Sequence, residues 1–212
     1  MPHESRMNIE RWSRLMDAWG FDSNPETFEA LLAAYSAKGR HYHTAKHVSS
    51  CLRHLDACVA MVEFPREVEF ALWFHDAIYK PLYSNNERKS ADWAASFLSE
   101  QGAAADEVAR VHRLIMVTEH NAPTQSNDEA VLVDIDLSIL GADSATYEIF
   151  ESGVRKEYWF VPSFLYCKKR AQVLRGFLER PKIYTSGCFP ATVERQAKEN
   201  LSNAVTALEA RA

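Results

Sequence analysis

Residues 70 to 79 read FALWFHDAIY, an apolar run whose centre is His75-Asp76. An unpaired carboxylate buried in such a run costs several kcal/mol, so it needs a partner, and a metal ion is one that fits. Two other apolar stretches have the same property. Upstream, GRHYHTAKHVSSCLRHL places His43 and His47 four apart, on one face if both are helical, with His47 next to the core-spaced Val48 and Cys51. Downstream, EAVLVDIDLSILG interrupts its apolar residues with Asp134 and Asp136. Imidazole nitrogen and carboxylate oxygen from three segments together suit a divalent ion among Mn, Fe, Co, Ni, Zn and Mg. Such an ion lowers the pKa of a bound water towards neutrality and polarises a phosphoryl oxygen.

The elements that must position these groups are helical. Ile9, Trp12, Leu15, Met16 and Trp19 recur at helical spacing and stop at Gly20. Asn24-Pro25 reads as cap and first helical residue of a helix closed by Gly39. Thr44 is placed to cap a long helix, and Pro65 to open the one containing His75 and Asp76. Further helices are expected near 86–101, 104–119, 128–140, 143–159, 163–179 and from about 190 onward, with 80–86, 121–127 and 180–190 as loops. The expectation is a single all-α helical bundle over residues 1–212, with 1–23 as an N-terminal helical extension. Trp12, Trp19, Phe28 and Tyr35 are read as core.

Composition narrows the function classes. The chain has 212 residues, 47% apolar and 25% charged, with a formal net charge of −5. That disfavours general nucleic-acid binding. No apolar run approaches a membrane span, and the first residues lack a signal-peptide core, so a cytoplasmic protein is expected. Cys51, Cys58, Cys167 and Cys188 form no CxxC pair and are read as reduced thiols, with Cys51 and Cys58 packing in the core.

The order His47, His75-Asp76, then Asp134 or Asp136 resembles the HD superfamily of metal-dependent phosphohydrolases. More narrowly, RHYHTAKHV, ALWFHDAIY, NNERKSA, DIDLSILG and RKEY are similar to a group of HD phosphohydrolases without an assigned substrate, over residues 31 to 205. The resemblance implies a metal held by His47, His75, Asp76 and one aspartate of the DID pair; Asp134 is favoured, with Asp136 supporting it. It implies hydrolysis of a small phosphorylated molecule, with a nucleotide as one option. The alternatives are a di-iron oxygenase of the same fold, with His43, Glu87 and His120 as the available extra ligands, and a non-catalytic metal- or ligand-binding regulatory protein.

Around this centre, Asp76 and Glu87 are the residues expected to position water or pass a proton. Arg40 and Lys46 are the cations placed beside the first histidines. Arg40, His43, Lys80, Asn86 and His120 are expected to meet substrate, with residues 79–88 forming one wall of its pocket. Arg155, Glu157 and Tyr158 match the group's pattern, open between an Arg–Glu lock and substrate contact. His54 is read as a peripheral neighbour, His112 as a core histidine and His3 as part of a mobile terminus.

Overall fold

The computed structural model describes residues 5–212, so His3 lies outside the described residues. They form ten α-helices and no strand: α1 (Ile9–Trp19), α2 (Pro25–Tyr35), α3 (Ala45–Cys58), α4 (Pro65–Phe74), α5 (Asn86–Glu100), α6 (Ala105–Met116), α7 (Asn127–Asp136), α8 (Ser144–Glu157), α9 (Ser163–Leu178) and α10 (Ala191–Glu209). The fold is all-α, as expected from the helical spacing. None of the described helices is long and apolar enough to cross a membrane.

Local chemistry sets several of these ends. The Asn8 side chain accepts the Arg11 N–H at the start of α1, and Gly20, at φ 77°, closes it in the left-handed conformation that favours glycine. Pro25 opens α2 and Pro65 opens α4. The chain enters α4 under the control of Asp128, whose carboxylate accepts the N–H groups of Glu63 and Phe64, both at 2.8 Å. Buried Glu67 of α4 forms a two-point ion pair with Arg110 of α6 at 2.7 and 2.8 Å.

Two apolar clusters result. The first is aromatic and draws on α1 to α7; Trp12, Phe70, Trp73 and Phe74 are fully buried in it, and Trp12 meets Trp73 edge to face at 5.4 Å. Trp19, Phe28 and Tyr35 join it, so α1 packs directly into the core. The second cluster is built from the end of α7 with α8, α9 and α10. Helix α7 serves both: Val131, Leu132 and Ile135 face the first, Val133 and Leu137 the second. A helix buried all round has no solvated face for polar residues, so each of its aspartates must find a partner inside.

Candidate metal centre and cavity

The segment 40–47 does not enter α3 as one helical run. Helix α3 begins at Ala45, and His43 precedes its cap residue Thr44, so His43 and His47 do not share a helical face. The cause is Glu157, buried in the last turn of α8. Its Oε1 accepts the N–H groups of His41, Tyr42 and His43 at 2.8, 2.8 and 3.0 Å, holding them non-helical. Its Oε2 pairs with His43 Nδ1 at 2.7 Å and accepts the Tyr79 hydroxyl at 2.9 Å.

Helix α4 likewise stops at Phe74, so His75 and Asp76 sit in the turn that follows it. Arg40 accounts for the break. Its guanidinium donates to the carbonyls of Asp76 (2.7 Å), Ala77 (2.8 Å) and His43 (3.0 Å), drawing the first two out of the helical ladder. It packs over the Tyr35 and Tyr79 rings. Arg40, expected to meet substrate, is instead committed to the backbone that carries His75 and Asp76.

The two turns and the end of α7 converge. His47 Nε2 stands 3.1 Å from His75 Nε2 and 3.1 Å from Asp136 Oδ1. His75 Nε2 is 3.2 Å from Asp76 Oδ2 and 3.5 Å from Asp136 Oδ1, and His47 Nε2 is 3.6 Å from Asp76 Oδ2. Cis ligands around an ion at about 2.1 Å are separated by roughly 3.0 Å in an octahedron and 3.4 Å in a tetrahedron. The donor spacing therefore matches the edges of a coordination polyhedron. Tautomer control agrees with it. His75 Nδ1 lies 2.9 Å from the Leu72 carbonyl, which can only accept, so neutral His75 keeps its proton on Nδ1 and aims the Nε2 lone pair inward. The Tyr42 hydroxyl contacts His47 Nδ1 at 3.0 Å and can hold His47 in the same state.

His47, Cys51, His75 and Asp136 offer ligand atoms within 4.8 Å of one another, a buried group that could hold a metal ion. Cys51 is one turn beyond His47, its sulfur 3.7 Å from His47 Nε2. Its seven-residue spacing to Cys58 by itself points to core packing alone. Burial, then Asp136 and Asp76, push its thiol well above the usual range, so without a cation it stays protonated.

Electrostatics without a cation are correspondingly polarised. Burial resists ionisation of Asp136, but hydrogen bonds to His120, His47 and His75 outweigh it and hold the carboxyl well below its usual value. Asp76 is lowered in the same way, chiefly by His75 and His43. Burial disfavours the His75 imidazolium, yet Asp76 and Asp136 raise it well above normal.

Asp134, favoured by sequence as the ligand, does not join this group. Its Oδ1 accepts the Thr185 N–H at 3.0 Å, and its Oδ2 accepts the Ser186 N–H at 2.8 Å and hydroxyl at 2.6 Å. Two residues along a helix turn a side chain by about 200°, so Asp134 and Asp136 face opposite ways. Asp134 anchors the loop before α10, and Asp136 is the aspartate of the cluster.

Comparisons with protein-family models, with curated proteins and with solved structures found no match.

Asp76 and Asp136 open onto a cavity of about 900 Å³, within the range of small-molecule sites. His43, Asn86, Glu87 and His120 also line it. His43 stacks on Tyr79 at 4.1 Å; burial lowers its basicity, but Asp76 and Glu157 raise it more, favouring an imidazolium. His120 Nε2 meets Asp136 Oδ2 at 3.2 Å from a left-handed backbone (φ 56°), while its Nδ1 is buried without a partner. Glu87 begins α5; burial, with Asp76 and Glu119, raises its carboxyl above the usual value. Asn86 spends its amide on the loop, accepting the Lys80 N–H at 3.0 Å and donating to the Lys80 and Tyr83 carbonyls. Lys46 and Lys80 are exposed and outside the lining.

Several cavity features were not visible in sequence. Arg155 donates to the Tyr158 and Val161 carbonyls rather than to Glu157, so no Arg–Glu lock forms. Glu157 carries a signal that could have found its role: a carboxylate in the last turn of a helix opposes the helix dipole and needs strong donors. Helix α9 adds Lys169, Arg170 and Phe177 to the cavity wall, residues that read as an ordinary amphipathic helix. His112 is half-buried beside Asp92 at 3.2 Å, not a core histidine, because α6 turns it to the surface. His54 packs on Phe189, away from the cluster.

Proposed function

We propose that the protein is a metal-dependent phosphohydrolase of the HD type, in which His47, His75, Asp76 and Asp136 hold one divalent ion. The observation that carries this reading is the four-residue cluster: the His47 and His75 Nε2 atoms stand 3.1 Å apart, and each lies 3.1–3.6 Å from an oxygen of Asp76 and of Asp136, with the His75 lone pair directed inward by the Leu72 carbonyl. An N and O donor set without thiolate suits Mn, Fe, Co, Ni, Zn or Mg. When bound, the ion supplies an activated water and polarises a phosphoryl oxygen. The chain's own groups then do the rest. His43, held charged by Glu157 and stacked on Tyr79, faces the cavity as the cation for a phosphoryl oxygen or the proton donor for the leaving alcohol. Glu87, which lines the same cavity and whose carboxyl burial raises above its usual value, is the group assigned to accept a proton from water. The substrate is a small phosphorylated molecule.

The test is a panel of phosphate esters offered to protein reconstituted separately with each of those metals. Release of inorganic phosphate that is lost in Asp136→Ala supports the reading. Bound metal with no turnover on any ester contradicts it and favours a ligand-binding role.

One observation favours a second reading. Asp136 spans two environments, Oδ1 towards His47 and His75 and Oδ2 towards His120, as a carboxylate bridging two ions would. With Glu87 in the same cavity, a di-iron oxygenase is the alternative. Two irons per chain with oxygen uptake would replace the hydrolase reading.

A further inference from the structure

The charges lining the cavity are badly matched to a polyphosphate. Four carboxylates face it, Asp76, Glu87, Glu119 and Asp136, against the cations Lys169, Arg170 and Arg180 and the His43 imidazole, whose charge Glu157 already pairs. Arg170 is already neutralised by Glu151 through contacts of 2.6 and 3.2 Å, and Arg180 donates to the His120 carbonyl at 3.1 Å. One divalent ion, His43 and Lys169 can meet a phosphate dianion, but a nucleoside triphosphate would bring its further charge against Glu87 and Glu119.

Away from the cluster much of the lining is apolar. Ile139, buried Phe150, half-buried Phe177 and the exposed Leu165 and Val173 of α9 are among its lining. The tip of the loop 79–86 lines the same cavity. Leu82 sits there in the left-handed region (φ 70°), 70% exposed, with Tyr83 beside it at 59%. A leucine in that conformation costs about 1–2 kcal/mol, and its exposure shows that packing within the chain does not offset this. The Asn86 amide, bonded to the Lys80 N–H, the Lys80 carbonyl and the Tyr83 carbonyl, holds the tip in place. The loop thus adds an exposed Leu82–Tyr83 pair to the same cavity lining as the exposed Leu165 and Val173 of α9.

We propose that the substrate is a phosphate monoester of an apolar alcohol, alkyl or aryl, whose carbon body lies between the Leu82–Tyr83 tip and the Leu165–Val173–Phe177 strip. This rests on the phosphohydrolase reading for its chemistry. In the step, a water oxygen bonds to phosphorus, the P–O bond to the alcohol breaks, the alcohol leaves with a proton, and inorganic phosphate remains. No oxidant or reductant is needed.

The experiment compares kcat/KM of metal-reconstituted full-length protein for ethyl, hexyl and phenyl phosphate, glycerol phosphate and ATP. Each methylene buried is worth up to about fourfold, so hexyl phosphate should exceed ethyl phosphate by about 30-fold or more, with ATP below both. Leu82→Gly and Val173→Asp should each lower the hexyl-to-ethyl ratio about tenfold. Leu82→Gly relieves the left-handed backbone, so its Tm should not fall, which separates a lost contact from misfolding. A hexyl-to-ethyl ratio near one, or ATP as the best substrate, overturns the proposal. Titration with hexylphosphonate and ethylphosphonate, which cannot be hydrolysed, separates the two claims. Tighter hexylphosphonate binding with no turnover on any ester supports the apolar site and removes the hydrolase reading. Equal affinity for the two phosphonates overturns the apolar site whatever the turnover.

Discussion

Asp134 and Asp136 sit two residues apart on one buried helix, yet their surroundings differ in kind. The niche of Asp134 is made of donors that belong to a loop: two backbone N–H groups and the Ser186 hydroxyl. Burial pushes its carboxyl up, partly offset by those donors. The niche of Asp136 is made of imidazole nitrogens from His47, His75 and His120, and there the carboxyl is held well below its usual value. A backbone N–H can only donate, so the first niche is complete as protein. An imidazole nitrogen can give up its proton and turn a lone pair inward, so the second can exchange protons for a cation. The same residue type is thus a structural anchor in one place and a prospective ligand a fraction of a turn away.

The sharpest way to break this comparison is to remove each carboxylate. Asp136→Ala should weaken metal binding by more than the 10–100-fold typical of a supporting partner, leaving little metal after dialysis and no turnover. Asp134→Ala should keep its metal within a few-fold of normal but lose about 1–3 kcal/mol of stability, because three partly buried donors lose their acceptor. Metal analysis and thermal melts on the two variants decide it; metal loss in both, or in Asp134→Ala alone, would dissolve the distinction.

Glu157→Gln asks how far the organisation extends beyond the ligands. Burial resists ionisation of Glu157, but its His43 contact and the backbone donors bring its carboxyl down to about 2 from an ordinary 4.5. A depressed carboxyl contributes stability above its unfolded value, and that contribution is lost as pH falls through the folded one. The partner His43 is raised above 6.5, so its contribution is full below 6.5 and fades as pH rises further. The stability gap between wild type and Glu157→Gln should therefore be widest between about pH 4.5 and 6.5, on the order of 3 kcal/mol, and close towards pH 2. Urea melts across that range test it; a gap independent of pH would show that the charge is not what holds residues 41–43.

Arg40→Ala separates a backbone clamp from a substrate contact. Three carbonyls lose their donor, so stability should drop by about 2 kcal/mol and metal affinity should weaken as the His75-Asp76 turn loosens. Unchanged metal affinity with a raised KM would instead restore the substrate role expected from sequence. The smallest effect is expected from Tyr42→Phe, which deletes only the hydroxyl that contacts His47 Nδ1. Metal affinity should fall about tenfold with little change in Tm.

Much of this was legible in the residues. Helical spacing and the Pro25, Pro65 and Gly20 boundaries placed the helices to within a few positions, because caps and apolar faces act locally. Polar residues within apolar runs located the cluster, because buried charge is costly wherever the chain goes. What was not legible depended on long-range partners. Helix periodicity cannot say that Thr185 and Ser186 will claim Asp134. A cation beside a ligand motif reads as a substrate contact, yet Arg40 finds three carbonyls first. Cys51 has core spacing and is in the core, but the core there borders the cluster. The lining contributed by α9 lies about 90 residues beyond His75 and shares no pattern with it.

The central claim, that His47, His75, Asp76 and Asp136 hold one divalent ion, is tested most directly by anomalous diffraction from crystals grown with manganese and measured on both sides of its absorption edge or, where manganese does not bind, with cobalt. The account predicts one strong anomalous peak within about 2.0–2.3 Å of both Nε2 atoms and of an oxygen from each aspartate. Full occupancy elsewhere, with the four side chains still bonded only to one another, would contradict it.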